Sequence, residues 1–169
     1  IDVPEGARVI DCAGKIVMPG MFDAHVHFRE PGQEKKETIL DGTEAAINGG
    51  ITGVVMMPNT SPSVDSPTVV KRVLEQGGKC RIPVLTSACI TVDRAGHEMA
   101  PIAGLKEAGI LMLTDDGDAV PNAALLKRAM EYGKEFDMFF ASHCEDPQLC
   151  GPRALNEGPV SYRLGIQGT

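Results

Sequence analysis

The chain has 169 residues, the size of one domain, with 43% hydrophobic residues and a formal net charge of -7. That acidic balance excludes nucleic acid and anionic membrane as general partners, because both call for a basic surface. No apolar run approaches the roughly 20 residues of a membrane span.

The five cysteines are odd in number, scattered and free of any CxxC spacing. They suit reduced thiols in a cytoplasm, the expected location, better than a disulfide framework. The opening "IDVPEGARVI" has no basic start followed by an apolar stretch, so it does not read as a signal peptide. "ARVIDCAGKIVMPG" then predicts a short hairpin turning at Ala13-Gly14. A lone hairpin is marginal in water, so residues 1–18 are read as the remnant of a small β domain, a β-sandwich, whose other strands lie elsewhere.

From residue 19 onward apolar strand-like runs recur: "MFDAHVHF", "ITGVVMMPN", "IPVLTSACI", "GILMLTDD" and "DMFFASHC". Their spacing of about 30 residues is that of one strand–helix unit. Runs such as "GVVMM" and "ILML" are apolar on both faces, as strands of a buried parallel sheet are. Between them, "KKETILDGTEAAINGG" predicts a helix stopped at Gly49-Gly50. "SPTVVKRVLEQGGK" predicts another, with Ser66 as N-cap, Pro67 in the first turn and Gly77-Gly78 at the end. A third, "NAALLKRAMEYGKEF", places Leu125, Leu126, Ala129 and Met130 on one buried face.

Five β/α units fit either an open doubly wound sheet or part of a (β/α)8 barrel. A dinucleotide-binding sheet would show GxGxxG after its first strand, and here "FREPGQEKKE" follows instead. The polar residues favour the barrel, whose chemistry sits at the C-terminal ends of its strands. His25 and His27 lie at the end of the first strand, Asn59 just after the second, Asp115 and Asp116 close the fourth, and His143 closes the fifth.

Alternate residues of a strand share a face, so His25, His27 and Arg29 project together. Two imidazoles and a guanidinium make a poor core and a good site. Imidazole and carboxylate are zinc ligands, and catalytic zinc keeps a position open for water. Each histidine taken singly could be a hydrogen-bonded core residue, but the common register of the set points to a metal. His97, in "DRAGHEMA", has no such register and is assigned to the surface; Thr86, Ser87 and Cys89 are small polar filler that could line a pocket, and Cys144 is assigned to packing.

"DAHVHFREPGQEKKET", "GGITGVVMMPNTSPSVDSP", "TDDG" and "SHCED" together resemble the signature segments of the class I bacterial dihydroorotases of the amidohydrolase superfamily. The resemblance runs from Val17 onward. HxH alone would indicate only the superfamily; joined to REPG and MPNT it is far more specific. It implies that His25 and His27 bind a first Zn2+ ion, that Asp116 is a carboxylate ligand able to bridge to a second, and that His143 binds that second ion. His27, Arg29 and Asn59 are implied to contact the substrate, the last two holding its carboxylate. Strand alternation does not choose between Asp115 and Asp116.

The implied reaction is the reversible cyclisation of N-carbamoyl-L-aspartate to dihydroorotate, a step of pyrimidine synthesis. The implied partners are that small-molecule substrate, further copies in a homo-oligomer, and an aspartate transcarbamoylase. The family pattern also has a histidine ligand from a sixth strand and a proton-shuttling aspartate from an eighth, and the sequence ends at Thr169 after five. Residues 19–169 are therefore expected to be part of a longer barrel, inactive alone, with no catalytic acid of its own. Rival readings are another cyclic amidohydrolase (an allantoinase or hydantoinase), which would carry a lysine ligand and lack the Arg29–Asn59 pair, and a non-catalytic dihydroorotase-like subunit of aspartate transcarbamoylase. A split enzyme, with the missing strands on a second chain, is a further rival.

Overall fold

The structure, a computed structural model, describes residues 2–150 and 155–168. Its elements alternate along the chain: β1 (Met21–Val26), α1 (Ile39–Asn48), β2 (Ile51–Met56), α2 (Pro67–Gly77), β3 (Val84–Thr86), a 3-10 turn (Val92–Arg94), α3 (Ile102–Glu107), β4 (Met112–Leu113), α4 (Ala123–Lys134), β5 (Phe139–Phe140) and α5 (Pro159–Leu164). All strand pairs are parallel. β1, β2 and β3 form one ladder and β4 and β5 another, and a parallel bridge from Ala88 to Leu113 links the two. The strands therefore neighbour one another in sequence order, and α1 to α4 pack successively against each other along one side of them.

Alternation along the strands separates two apolar faces. Val54 and Met56 of β2, Val84 of β3 and Leu113 of β4 are buried toward the helices, among Val70, Val73 and Leu105. Burying each such side chain contributes about 1.5–3 kcal/mol. The opposite face carries Val55, Leu85, Met112 and Phe139, which line a cleft of about 190 Å³. Leu85 and Phe139 remain 42% and 69% exposed there.

Local chemistry explains where the helices begin. The Thr38 hydroxyl accepts from Asp41 N–H at the start of α1, and Asn122 Oδ1 accepts from Ala124 and Leu125 N–H at the start of α4. Gly49 caps α1 and Gly50 follows with φ +84, as the glycine pair predicts. Ser66 does occupy the N-cap position of α2 with Pro67 behind it, but its side chain makes no cap hydrogen bond.

Three expectations need correction. The hairpin of residues 7–20 is not a paired element: the turn forms, with Lys15 N–H donating to Cys12 O at 2.9 Å and Gly14 at φ +71, but no strand flanks it among the described residues. Ile16 and Val17 are 91% and 77% exposed, so nothing rewards the ordering of those strands. On α4, Ala129 is buried and Leu126 packs on the core, but Met130 is exposed, because the buried stripe is narrower than the apolar pattern. Cys144 is exposed rather than packed, since the strand ends at Phe140 and alternation no longer governs it.

Candidate metal centre

β1 delivers two of the candidate ligands. His25 belongs to the strand and His27 follows its last residue, so their rings meet edge to face with centroids 5.0 Å apart and Nε2 atoms 3.2 Å apart. Asp116 faces both: its Oδ1 lies 3.4 Å from His25 Nε2 and its Oδ2 lies 3.4 Å from His27 Nε2. The carboxylate is 7% exposed, while the imidazoles are 54% and 33% exposed, so the cluster is walled on one side and open on the other. Among the described residues, His25, His27 and Asp116 are the group whose ligand atoms all lie close enough to share a metal ion.

The second nitrogen of His27 determines what its first can do. His27 Nδ1 lies 3.0 Å from Asn59 Oδ1. An amide oxygen only accepts, so His27 donates from Nδ1, which leaves Nε2 as the nitrogen available to a metal ion. Nε2 lies 3.4 Å from an Asp116 oxygen, so the two atoms are placed where one cation could accept both as ligands. A hydrogen bond that fixes the tautomer of a ligating histidine is the usual outer support of a metal site. The spacing also fits, since atoms about 2.1 Å from one tetrahedral ion lie about 3.4 Å from each other.

Asp115 and Asp116 part company completely. Asp115 Oδ1 accepts from Ile90 N–H at 2.8 Å and Thr91 N–H at 3.1 Å, and its Oδ2 accepts from the Thr91 hydroxyl. Burial pushes the Asp115 carboxyl above its ordinary value, against the opposing pull of these hydrogen bonds and of Arg94. It is a structural staple between the end of β4 and the loop after β3.

His143 stands outside the triad. Its Nδ1 is 3.2 Å from Glu145 Oε2, an ion-pair separation without hydrogen-bond geometry. Arg29 is half-buried and its guanidinium has no hydrogen bond or ion pair among the described residues. The Arg29 and Asn59 loops are joined by Ser61 N–H donating to Pro31 O at 3.0 Å. There Gly32 has φ +96, and a Cβ on it would overlap the Ser61 carbonyl oxygen. Ser87 is fully buried with its hydroxyl donating to Met56 O, and burial raises the Cys89 thiol far above its ordinary range, so both are packing. Thr86 is 5% exposed, its hydroxyl donates to Ser87 O, and it borders the apolar cleft rather than the triad. His97 is exposed, as expected.

Two participants play parts that the sequence does not announce. Asn59 reads there only as a substrate contact, although its oxygen holds His27. Arg94 sits in "DRAGHEMA" like a surface charge, yet its Nη1 reaches the Asp116 backbone carbonyl at 2.9 Å.

Residues 14–169 match the family described as dihydro-orotase-like. The chain is 45% identical over 163 residues to a dihydroorotase of Pelotomaculum thermopropionicum, covering 96% of this chain and 38% of that protein. It is 46% identical over 161 residues to a dihydroorotase of Brevibacillus brevis, covering 94% and 38%. It thus spans less than two fifths of the length of these relatives. Among solved structures, the L-hydantoinase (dihydropyrimidinase) of Arthrobacter aurescens superposes with a TM-score of 0.74 at 23% identity, over 88% of this chain and 34% of that one. That likeness places the parallel α/β fold among known structures. With its family profile matched from residue 14 onward, the chain belongs to the dihydro-orotase-like family.

Proposed function

We propose that this chain carries the zinc-binding and carboxylate-binding portion of a dihydroorotase, which interconverts N-carbamoyl-L-aspartate and dihydroorotate in pyrimidine synthesis. The observation that carries this reading is the convergence of His25 Nε2, His27 Nε2 and both Asp116 oxygens, with His27 Nδ1 held by Asn59 Oδ1. In this reading the strands following one another in sequence are successive staves of a (β/α)8 barrel, five of which lie in residues 19–169, and residues 1–18 belong to a small β domain. His143 would hold a second zinc, and Asp116 would be the carboxylate ligand shared with the first.

A bound zinc supplies Lewis acidity and a water that ionises near neutral pH. The chain's own residues do the rest of the positioning. Arg29, whose guanidinium lacks a partner among the described residues, takes the substrate carboxylate through its paired donors. Asn59 has one end of its amide committed to His27, which leaves its Nδ2 donor for the same carboxylate. The substrate is thereby registered against His27 by a shared side chain, which fixes the distance between the reacting amide and the ligand set. The departing ring nitrogen also requires an acid to deliver its proton. The small-molecule substrate, a homo-oligomeric state, an aspartate transcarbamoylase partner and a cytoplasmic location complete the proposal. Among the described residues, no helix is long and apolar enough to cross a membrane.

Arg29→Leu in the full-length protein tests it. Dihydroorotate turnover is expected to fall by about 10²–10³-fold in kcat/KM with zinc content unchanged. Retention of turnover, or a preference for hydantoins that ignores the substitution, defeats the assignment in favour of another cyclic amidohydrolase. A folded protein that binds no zinc favours the scaffold reading.

A further inference from the structure

The loop between β3 and α3 grips the end of β4 at two points. Thr91 binds Asp115 through both its N–H and its hydroxyl. Three residues later, Arg94 Nη1 donates to the Asp116 carbonyl at 2.9 Å and pairs with Asp118 Oδ2 at 3.0 Å. The Arg94 side chain is only 22% exposed, although arginine is seldom buried without a partner.

The backbone that carries it is unusual. Asp93 and Arg94 have φ of +53 and +58, a conformation that side-chain-bearing residues rarely adopt. Surrounding bonds impose it: Asp93 N–H donates to Asp65 Oδ2, Arg94 N–H to Thr91 O, and Gly96 N–H to the Thr91 hydroxyl. Such imposed conformations persist where the neighbouring structure demands a particular side-chain placement.

The recipient turn is equally constrained. Asp118 N–H donates to Asp115 O at 2.8 Å, and Gly117 at φ +88 completes the reversal. A Cβ at Gly117 would lie 3.3 Å from Arg94 Nη1 and 3.4 Å from Asn59 Nδ2. Bare backbone there lets the guanidinium and the amide both close on the turn. Asp115 is pulled to one side by Thr91 and Ile90, Asp118 is held by Arg94, and the Asp116 carboxylate between them is left facing the histidines.

We propose that Arg94 is a positioning residue for the metal centre: by holding the Asp116 carbonyl and the Asp118 carboxylate it fixes the turn that aims the Asp116 carboxylate at His25 and His27. It touches no ligand atom and acts through the backbone. The proposal rests on the metal reading of those three residues.

The experiment measures zinc dissociation constants of the full-length protein by competition with a chromophoric chelator, for wild type, Arg94→Ala, Arg94→Lys and His27→Ala, together with thermal unfolding of each metal-free form. Arg94→Ala is expected to weaken zinc about 10–100-fold, the usual effect of losing an outer support of a ligand. Lysine keeps the charge and a donor but not the planar fork, and is expected to recover part of that loss. A merely structural role would lower the metal-free unfolding midpoint and leave zinc affinity at the wild-type value, which overturns the proposal. If Arg94→Ala does not fold, Arg94→Lys and Asp118→Asn decide: wild-type zinc affinity in both overturns it, and weakened affinity in both supports it. His27→Ala separates the layers. Unchanged zinc affinity there removes the metal reading and the Arg94 role with it, whereas loss there with wild-type affinity in folded Arg94→Ala removes only the Arg94 role.

Discussion

Two adjacent aspartates at the end of β4 are sorted by their donors. Three hydrogen-bond donors from Ile90 and Thr91 claim Asp115, and among the described residues none claims the Asp116 carboxylate, which is left to the imidazoles. The two should therefore fail in opposite ways. Asp115→Ala strands three buried donors and is expected to cost about 2–3 kcal/mol in denaturant unfolding. Asp116→Asn is expected to leave metal-free stability within about 1 kcal/mol, because its partners are half-exposed. Its zinc affinity should fall by more than the roughly 10–100-fold lost with an outer support, as read by chelator competition. The sequence showed that carboxylates close this strand, and it showed the paired histidines through their two-residue spacing. It could not show which aspartate turns outward, because alternation stops where the ladder stops and the deciding donors sit 24 and 25 residues away. Arg94 was illegible for a similar reason: its direction depends on a left-handed backbone that no composition rule announces.

At the scale of elements, β1 and β2 and helices α1, α2 and α4 were legible, since apolar period and terminal residues agreed. α3 was not. It has six residues, starts at a proline N-cap with no side-chain cap, and lies in "PIAGLKEAG", where glycines blur the pattern. The contrast between two helix starts gives a further prediction. Thr38 both accepts from Asp41 N–H and donates to the Asp41 carboxylate, whereas Ser66 makes no cap bond. Thr38→Ala is expected to cost about 1 kcal/mol of unfolding free energy. Ser66→Ala should fall within about 0.5 kcal/mol of wild type. Equal losses would mean that residue type alone, rather than the bond made, sets the cap contribution.

The whole molecule shows strands in sequence order with helices along one side, the arrangement that repeated β/α spacing and strand-end polar residues led one to look for. A doubly wound sheet would have placed helices on both faces and broken that order. The exposed face of Val55, Leu85, Met112 and Phe139 is the other legible consequence, foreshadowed by strands apolar on both sides. The 169-residue segment expressed alone is expected to self-associate and to enhance the fluorescence of an apolar dye, because contiguous apolar surface and open strand edges seek cover. Sedimentation as a dye-silent monomer would contradict this. The two ladders, finally, meet at the Ala88–Leu113 bridge, where Ala88 N–H donates to Met112 O and Thr114 N–H to Ala88 O. With so few ladder bonds across this seam, the Asp115 staple carries much of the attachment. The amide protons of Ile90 and Thr91 should consequently exchange with solvent deuterium in concert with those of Ala88 and Thr114, as one cooperative opening unit, and the mouth formed by His25, His27 and Asp116 should loosen whenever that unit opens.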